Sequence, residues 1–355
     1  MFDLSGESVI VRISIVIGLG ALAAASVFLL VAFALRGRLV RQTERRAAIE
    51  AVWLPVMLQS MRQEFPTTPT LRRRERGAVL ALWNRMTAAI EGEAVERLCV
   101  FADRAGLITA ARALSKEGSG EELVVAATFL GRNRDAAGVP VLLDLAQKEP
   151  IVVRAEAARA LVRIEPEAGV RSVVPMIARW EDCHSAVAVA ILRDAPSEVV
   201  SEVVAGHALA AQDPGAQARL VDVLAIIKGR AGHAAARTLL DRQPPPEVAS
   251  RCLAVLREHR APEDAILVRP YLKHEMPFVR VQAVAALARL QGSGDVWRIA
   301  GCLGDRDWWV RNRAARAVVT SPAIARSLVE LLASVHPDRY ARGALVQVLG
   351  EIGAS

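Results

Sequence analysis

Two adjacent pairs in this chain carry side chains that could hold a metal or share a proton, Cys183-His184 and His274-Glu275. A zinc site takes four ligands, usually as two pairs at fixed spacing, and Cys183-His184 has no such second pair. A two-metal centre needs several His and carboxylate ligands converging on one cavity, which a single His-Glu dyad does not supply. His184, His207, His233, His259 and His336 are scattered singly, and each is expected as a solvated or hydrogen-bonded side chain. Cys99, Cys183, Cys252 and Cys302 form no CxxC pair, which fits small buried thiols in a reducing compartment rather than a disulfide framework. No Walker loop, GxSxG elbow or HExxH sequence is present. The expectation is a protein without catalytic, cofactor-binding or metal residues: not an enzyme, and with no cofactor.

The elements around these residues follow a repeat. PIVVRAEAARALVRI from Pro150, PFVRVQAVAALARL from Pro277 and DWWVRNRAARAVV from Asp307 share the phrase V-R-x-x-A-x-x-A-[LV]. With Arg154, Arg280 and Arg311 as anchors, Ala157, Ala160, Ala283, Ala286, Ala314 and Ala317 fall three and six residues later. The same phase continues to weaker helices anchored at Leu123, Ser185, Arg219, Ala249 and Arg342, with spacings of 30 to 34 residues. Between anchors lies a second helical stretch, such as VRSVVPMIARW from Val170, with Gly, Pro and Asp in the joints. A helix, turn, helix unit of this length cannot bury its apolar face alone, so units must stack into a solenoid.

The phrase resembles HEAT repeats, in particular the short kind of phycobilisome-lyase-like proteins, over about residues 108–353. The resemblance implies an all-α, right-handed alpha-solenoid of about eight helical hairpins. It also implies structural roles for Arg154, Arg280 and Arg311, each pairing with an acidic group in its own or a neighbouring turn; Glu149, Glu275 and Asp307 precede them by four or five residues. Deoxyhypusine hydroxylase, a metalloenzyme of this repeat class, takes its iron ligands from several His-Glu dyads, whereas this chain has only His274-Glu275. A lyase-like activity on a tetrapyrrole stays open by resemblance alone.

Ile13 to Leu35 is uncharged, and Arg36, Arg38, Arg41, Arg45 and Arg46 follow. Such a run is long enough for a bilayer core, and flanking Arg normally stays in the cytoplasm. Apolar sequence continues past Ala23, Ala24 and Ala25 and the charge follows the segment, so a retained anchor is expected rather than a cleaved signal peptide. The expected organisation is a short extracytoplasmic N-terminus over 1–12, a transmembrane helix over 13–35, a basic juxtamembrane helical adaptor over 36–107 with a helix interrupted by Pro55, and the solenoid over 108–355. The expected location is a bacterial inner membrane, single-pass, N-out/C-in. The net charge is +7, of which +6 falls in residues 36–76, including the second basic cluster Arg72, Arg73, Arg74 and Arg76. Charge concentrated there suits anionic lipid headgroups, met by Arg36, Arg38, Arg41, Arg45 and Arg46, better than a nucleic-acid groove.

Binding surfaces are expected in three places. In the central repeats the positions one, two and five after each anchor become Ala186, Val187 and Ala190, then Leu220, Val221 and Leu224, which reads either as an exposed apolar docking strip or as core in slipped register. Trp308 and Trp309 adjoin in one turn, where one ring is expected at the solenoid edge as a partner contact or wedged between repeats. Gly20 and Ala24 have the spacing of a close transmembrane helix contact. The function read from these features is a membrane-tethered scaffold that positions or regulates an integral membrane protein, with a glycosyltransferase of exopolysaccharide secretion as the specific client. A general assembly factor for an inner-membrane complex is a further alternative.

Overall fold

The computed structural model describes residues 5–62, 67–148, 150–290 and 294–353, and every regular element among them is helical. The chain divides into two compact units, Met1–Leu114 and Ser115–Ser355.

The first unit holds α1 (Ser5–Ser60), α2 (Arg76–Ala88), α3 (Glu93–Arg104) and most of α4 (Leu107–Glu117). Trp53, Met57 and Ser60 of α1 are buried, as are Val79, Leu80 and Trp83 of α2 and Leu98 and Phe101 of α3, and α1 packs on both later helices. The Trp83 indole N–H donates to the Leu98 carbonyl at 3.4 Å, and Arg85 pairs with Glu50. Pro55 does not interrupt α1: it lies inside the helix on an exposed stretch with Ala51, so the carbonyl left without a partner faces water.

The transmembrane expectation is corrected. The apolar run is not a separate element but the first part of a 56-residue helix that passes without a break through the Arg-rich segment. Most of its side chains lie outside the described residues, and among the described residues no helix is long and apolar enough to cross a membrane. The single-pass N-out/C-in placement therefore does not stand.

The second unit continues with α5 (Glu121–Arg132), α6 (Val139–Leu145), α7 (Ile151–Ile164), α8 (Pro166–Arg179), α9 (Ser185–Leu192), α10 (Ser197–Ala210) and α11 (Pro214–Ile227). It ends with α12 (Arg230–Asp241), α13 (Pro246–His259), α14 (Ala265–Val268), α15 (Pro277–Leu290), α16 (Asp295–Ala300), α17 (Trp308–Val319), α18 (Arg326–Val335) and α19 (Arg339–Gly353). The odd-numbered helices from α5 to α19 each pack on the next and form one layer. The even-numbered helices pack against that layer from the other side. This is a solenoid of stacked helical hairpins, in which each hairpin buries its apolar face against its neighbours.

Local chemistry sets the joints. Asp213 caps α11 by accepting from the Ala216 N–H at 2.7 Å, ahead of Pro214 in the first turn. Lys228 and Arg260 end α11 and α13 in the left-handed region, at φ 61° and 55°. Where α8 folds back on α7, a Cβ on Gly169 would stand 2.5 Å from the Leu161 carbonyl oxygen, so only glycine permits that approach.

The anchor phase holds at Leu123, Arg154, Ser185, Ala249, Arg280 and Arg311, where the residues three and seven later are buried in every case. It fails in α11. Counted from Arg219 those positions are Asp222, half-buried, and Ile226, exposed; counted from Gln217 they are Leu220 and Leu224, both buried. Gln217 also does the anchor's work, because its Nε2 donates to the turn carbonyls of Ala208 and Ala211. Arg280, Arg311 and Arg342 likewise donate to the carbonyl six residues before themselves, on His274, Asp305 and His336.

Candidate functional site

The repeat Arg residues hold the turns between hairpins, and the carboxylates that Arg154 and Arg280 meet sit one repeat later than the sequence suggests. Arg280 is buried, donates through Nε and Nη2 to both oxygens of Asp305 at 2.8 and 2.7 Å, and through Nη1 to the His274 and Glu275 carbonyls. The hydrogen bond that Arg280 donates to Asp305 raises the Arg280 pKa further. Burial opposes the Asp305 charge, yet the Arg280 guanidinium and the Asp307 N–H together hold this carboxylate below its usual range. Arg154 reaches Asp182 at 2.6 Å and lies over the Trp180 ring. Among the described residues Arg311 pairs with no such carboxylate: it donates to the Asp305 and Arg306 carbonyls and lies over the Tyr340 ring, its centre 5.2 Å away. Asp307 is instead the cap of α17, accepting from the Trp309 and Val310 N–H groups, and Glu149 lies outside the described residues.

The candidate metal and catalytic groups do not converge. Glu275 contributes only its backbone carbonyl to Arg280 and Arg306, while His274 accepts from the Met276 N–H and stacks on Tyr271. Cys183 is buried beside an exposed His184, and its thiol is pushed up to about 11 by burial and by Asp182. Burial pushes Cys302 up to about 11 and Cys252 up to about 12, so these thiols are protonated at neutral pH. Among the described residues no group of three or more His, Cys, Asp or Glu side chains could hold a metal.

One polar cluster has no counterpart in the sequence analysis. Asp264, fully buried, accepts from His233 at 2.6 Å and from Arg237 at 2.7 Å, both one repeat earlier in α12. His233 stacks on His259, whose Nε2 finds no partner among the described residues. Burial lowers the His259 pKa, and the nearby His233 lowers it too. The signal for the pairing is the 31-residue interval between His233 and Asp264, one repeat length.

The docking strip is half core. Ala186 and Ala190 are exposed and Val187 is half-buried, but Leu220, Val221 and Leu224 are buried in the α11 packing. In the true register the exposed side of α11 presents Arg219, which donates to the Ala178 carbonyl, and Asp222, which pairs with Arg251. Leu220, Val221 and Leu224 are therefore corrected from partner surface to core. At the other suggested contact, Gly20 has open space around its Cα, and the Ala24 side chain lies outside the described residues.

The tryptophan pair is different. Trp308 and Trp309 are 45 % and 67 % exposed, and their rings meet edge to face at 4.7 Å. Both rings are outside, where the sequence gives reason to expect one. Trp309 stands two residues before Arg311; the same place before Arg280 and Arg342 is taken by Phe278 and Tyr340, so the three aromatics recur at intervals of 31. Phe278 is 39 % and Tyr340 54 % exposed, and Met276 adds a further exposed apolar group. The equivalent places earlier in the solenoid carry Val152, Cys183, Gly215 and Glu247, so the aromatic edge belongs to the last three repeats. Applying the period to the position two before the anchor would have found it.

Stacked hairpins and an exposed edge define the protein as an α-solenoid with a candidate interaction surface. No family model matches the chain, and no curated protein matches it. Solved structures similar to it include the CpcE–CpcF complex of phycocyanin lyase from Nostoc, at 18 % identity over 69 % of this chain and 87 % of that one, with a TM-score of 0.29. Human deoxyhypusine hydroxylase is similar at 18 % identity over 88 % and 99 %, with a TM-score of 0.29. An engineered protein is similar at 18 % identity over 86 % and 91 %, with a TM-score of 0.38. The repeat architecture rests on this chain's own helix packing, and no activity is carried over from these proteins.

Proposed function

We propose that this protein is a scaffold that docks a protein partner on the edge formed by Phe278, Trp308, Trp309 and Tyr340. The observation that supports this most is the exposure of Trp308 and Trp309 side by side in contact, when Trp53, Trp83 and Trp180 are buried and Trp297 is exposed singly. Holding large aromatic rings in water forgoes roughly 1.5 to 3 kcal/mol each, a cost that binding returns. Trp, Tyr and Arg are also the side chains most often found at interface hot spots. The edge has a firm base, because the buried Arg280–Asp305 pair ties α15 to the turn that leads into α17. The expectations of an integral membrane client, a glycosyltransferase, and of lipid contacts through Arg36, Arg38, Arg41, Arg45 and Arg46 rest on the anchor and do not enter this reading.

The test is recovery of partners from native extract by wild type and by Trp308→Ala with Trp309→Ala. Loss of a specific partner at unchanged helix content and melting temperature is expected. Unchanged recovery of every partner would refute the edge as the docking surface.

A further inference from the structure

From the geometry of this edge we infer that its ligand is an acidic, proline-rich segment in the polyproline II conformation, an inference that rests on the docking reading above. Three features of the edge point to that chemistry together.

The first is spacing. Phe278, Trp309 and Tyr340 stand at the same place on α15, α17 and α19, which pack in sequence. Packed helices lie about 8 to 10 Å apart, so the aromatic faces recur at about that interval. A polyproline II helix completes a turn in three residues at about 3.1 Å each, or roughly 9 Å, so one proline face per turn meets one aromatic per repeat. An extended β-strand presents side chains on one face every 6 to 7 Å and would fall out of step by the second repeat.

The second is hydrogen bonding. The indole N–H groups of Trp308 and Trp309 donate to no acceptor among the described residues. A polyproline II backbone makes no internal hydrogen bonds, so its carbonyls are free to accept from these donors. The two rings stand at 79° to each other, so they form a corner into which a pyrrolidine ring fits against one face and the edge of the other.

The third is charge. Arg311 and Arg339 lie over the Tyr340 ring, and Arg306 and Arg342 stand in the same turns; Asp305 and Asp338 feel Arg306 and Arg311, but among the described residues none of the four Arg comes within ion-pair distance of a carboxylate, and their hydrogen bonds go to turn carbonyls or, from Arg339, to the Tyr340 hydroxyl. A carboxylate on one of every three ligand residues would reach them. The carboxylates of Asp307 and Asp338 cap α17 and α19 within the same edge. Single spaced charges on a peptide can avoid these caps, whereas the phosphate on every nucleotide of a nucleic acid cannot, which favours the peptide over a single strand stacked on the same rings.

The experiment titrates the full chain with three fluorescent probes: a synthetic peptide of repeated Pro-Pro-Glu, the same peptide with Lys for Glu, and an oligodeoxythymidine. Saturable binding of the Glu peptide alone is expected. Trp309→Ala with Tyr340→Ala should weaken it at least about tenfold, and Arg339→Glu should weaken the Glu peptide while improving the Lys peptide. Both changes fall on exposed side chains, and an unchanged melting temperature verifies the fold. No binding of the Glu peptide, equal binding of the Lys peptide, binding of the oligonucleotide alone, or full binding by the double variant would each overturn the inference. If the peptide fails while Trp308→Ala with Trp309→Ala still loses the cellular partner, the ligand chemistry is wrong and the docking edge stands.

Discussion

Replacing Arg280 with alanine removes a buried side chain that makes four hydrogen bonds. Its side chain and that of Asp305 are 5 % and 12 % exposed, so solvent screens the pair little. The change leaves the Asp305 carboxylate with the Asp307 N–H as its remaining hydrogen-bond donor and strips the Arg donor from the His274 and Glu275 carbonyls. Breaking one side of a buried pair of this kind costs about 3 to 5 kcal/mol; the turn borders water, so about 3 kcal/mol is expected. Because a repeat array can open locally, amide hydrogen exchange across α15 and α17 is the assay, with urea melting alongside it. The pH dependence supplies a second check. Asp305 is held below its usual 3.8, so its stabilisation is present above that value and is lost as pH falls through the lower, folded-state value. The difference between wild type and Arg280→Ala should therefore shrink in strong acid. Asp305→Leu added to Arg280→Met should restore most of the loss, since an apolar pair carries no unpaired charge. A cost below about 1 kcal/mol, or one that persists undiminished in acid, would refute the reasoning.

Leu224→Glu should unfold the middle of the solenoid, costing several kcal/mol because an unpaired carboxylate would be buried among α11 and its neighbours, whereas Val187→Glu should change stability by less than about 1 kcal/mol; urea melts of the two variants decide it. Equal effects would return Leu224 to the surface. His259 binds its proton more weakly when folded than its usual 6.5, so it lends the neutral form stability that is present above pH 6.5 and lost as pH falls through the lower folded value. His259→Phe should flatten that part of the stability profile, and an unchanged slope would refute the assignment to His259.

The outer repeats were legible because an identical phrase marks them, and the buried Ala and Leu positions recur wherever V-R-x-x-A appears. In α11 the phrase has decayed and Arg219 offers a false match, while Gln217 holds the turn carbonyls with an amide that no charge pattern would flag. The ion pairs were misplaced for a related reason. A carboxylate near an Arg in sequence is visible, but Asp182 and Asp305 lie 28 and 25 residues beyond Arg154 and Arg280, and only the stacking of hairpins brings them together. Hydropathy over Ile13 to Leu35 suggested a separate membrane element, whereas the helix runs on to Ser60 and its packing is decided there by Trp53 and Met57. The aromatic edge was within reach of the sequence at Trp308 and Trp309, and its extension to Phe278 and Tyr340 needed the repeat period applied to exposed positions as well as buried ones.

The docking edge is tested most directly by placing a photo-reactive amino acid at position 309, and in a second protein at position 247, the equivalent place in an earlier repeat. Illumination in native cells should give one discrete crosslinked partner from position 309, absent when Trp308 and Tyr340 are alanine, and none from position 247. Identical products from both positions, or a crosslink at 309 that survives the loss of its aromatic neighbours, would contradict the account.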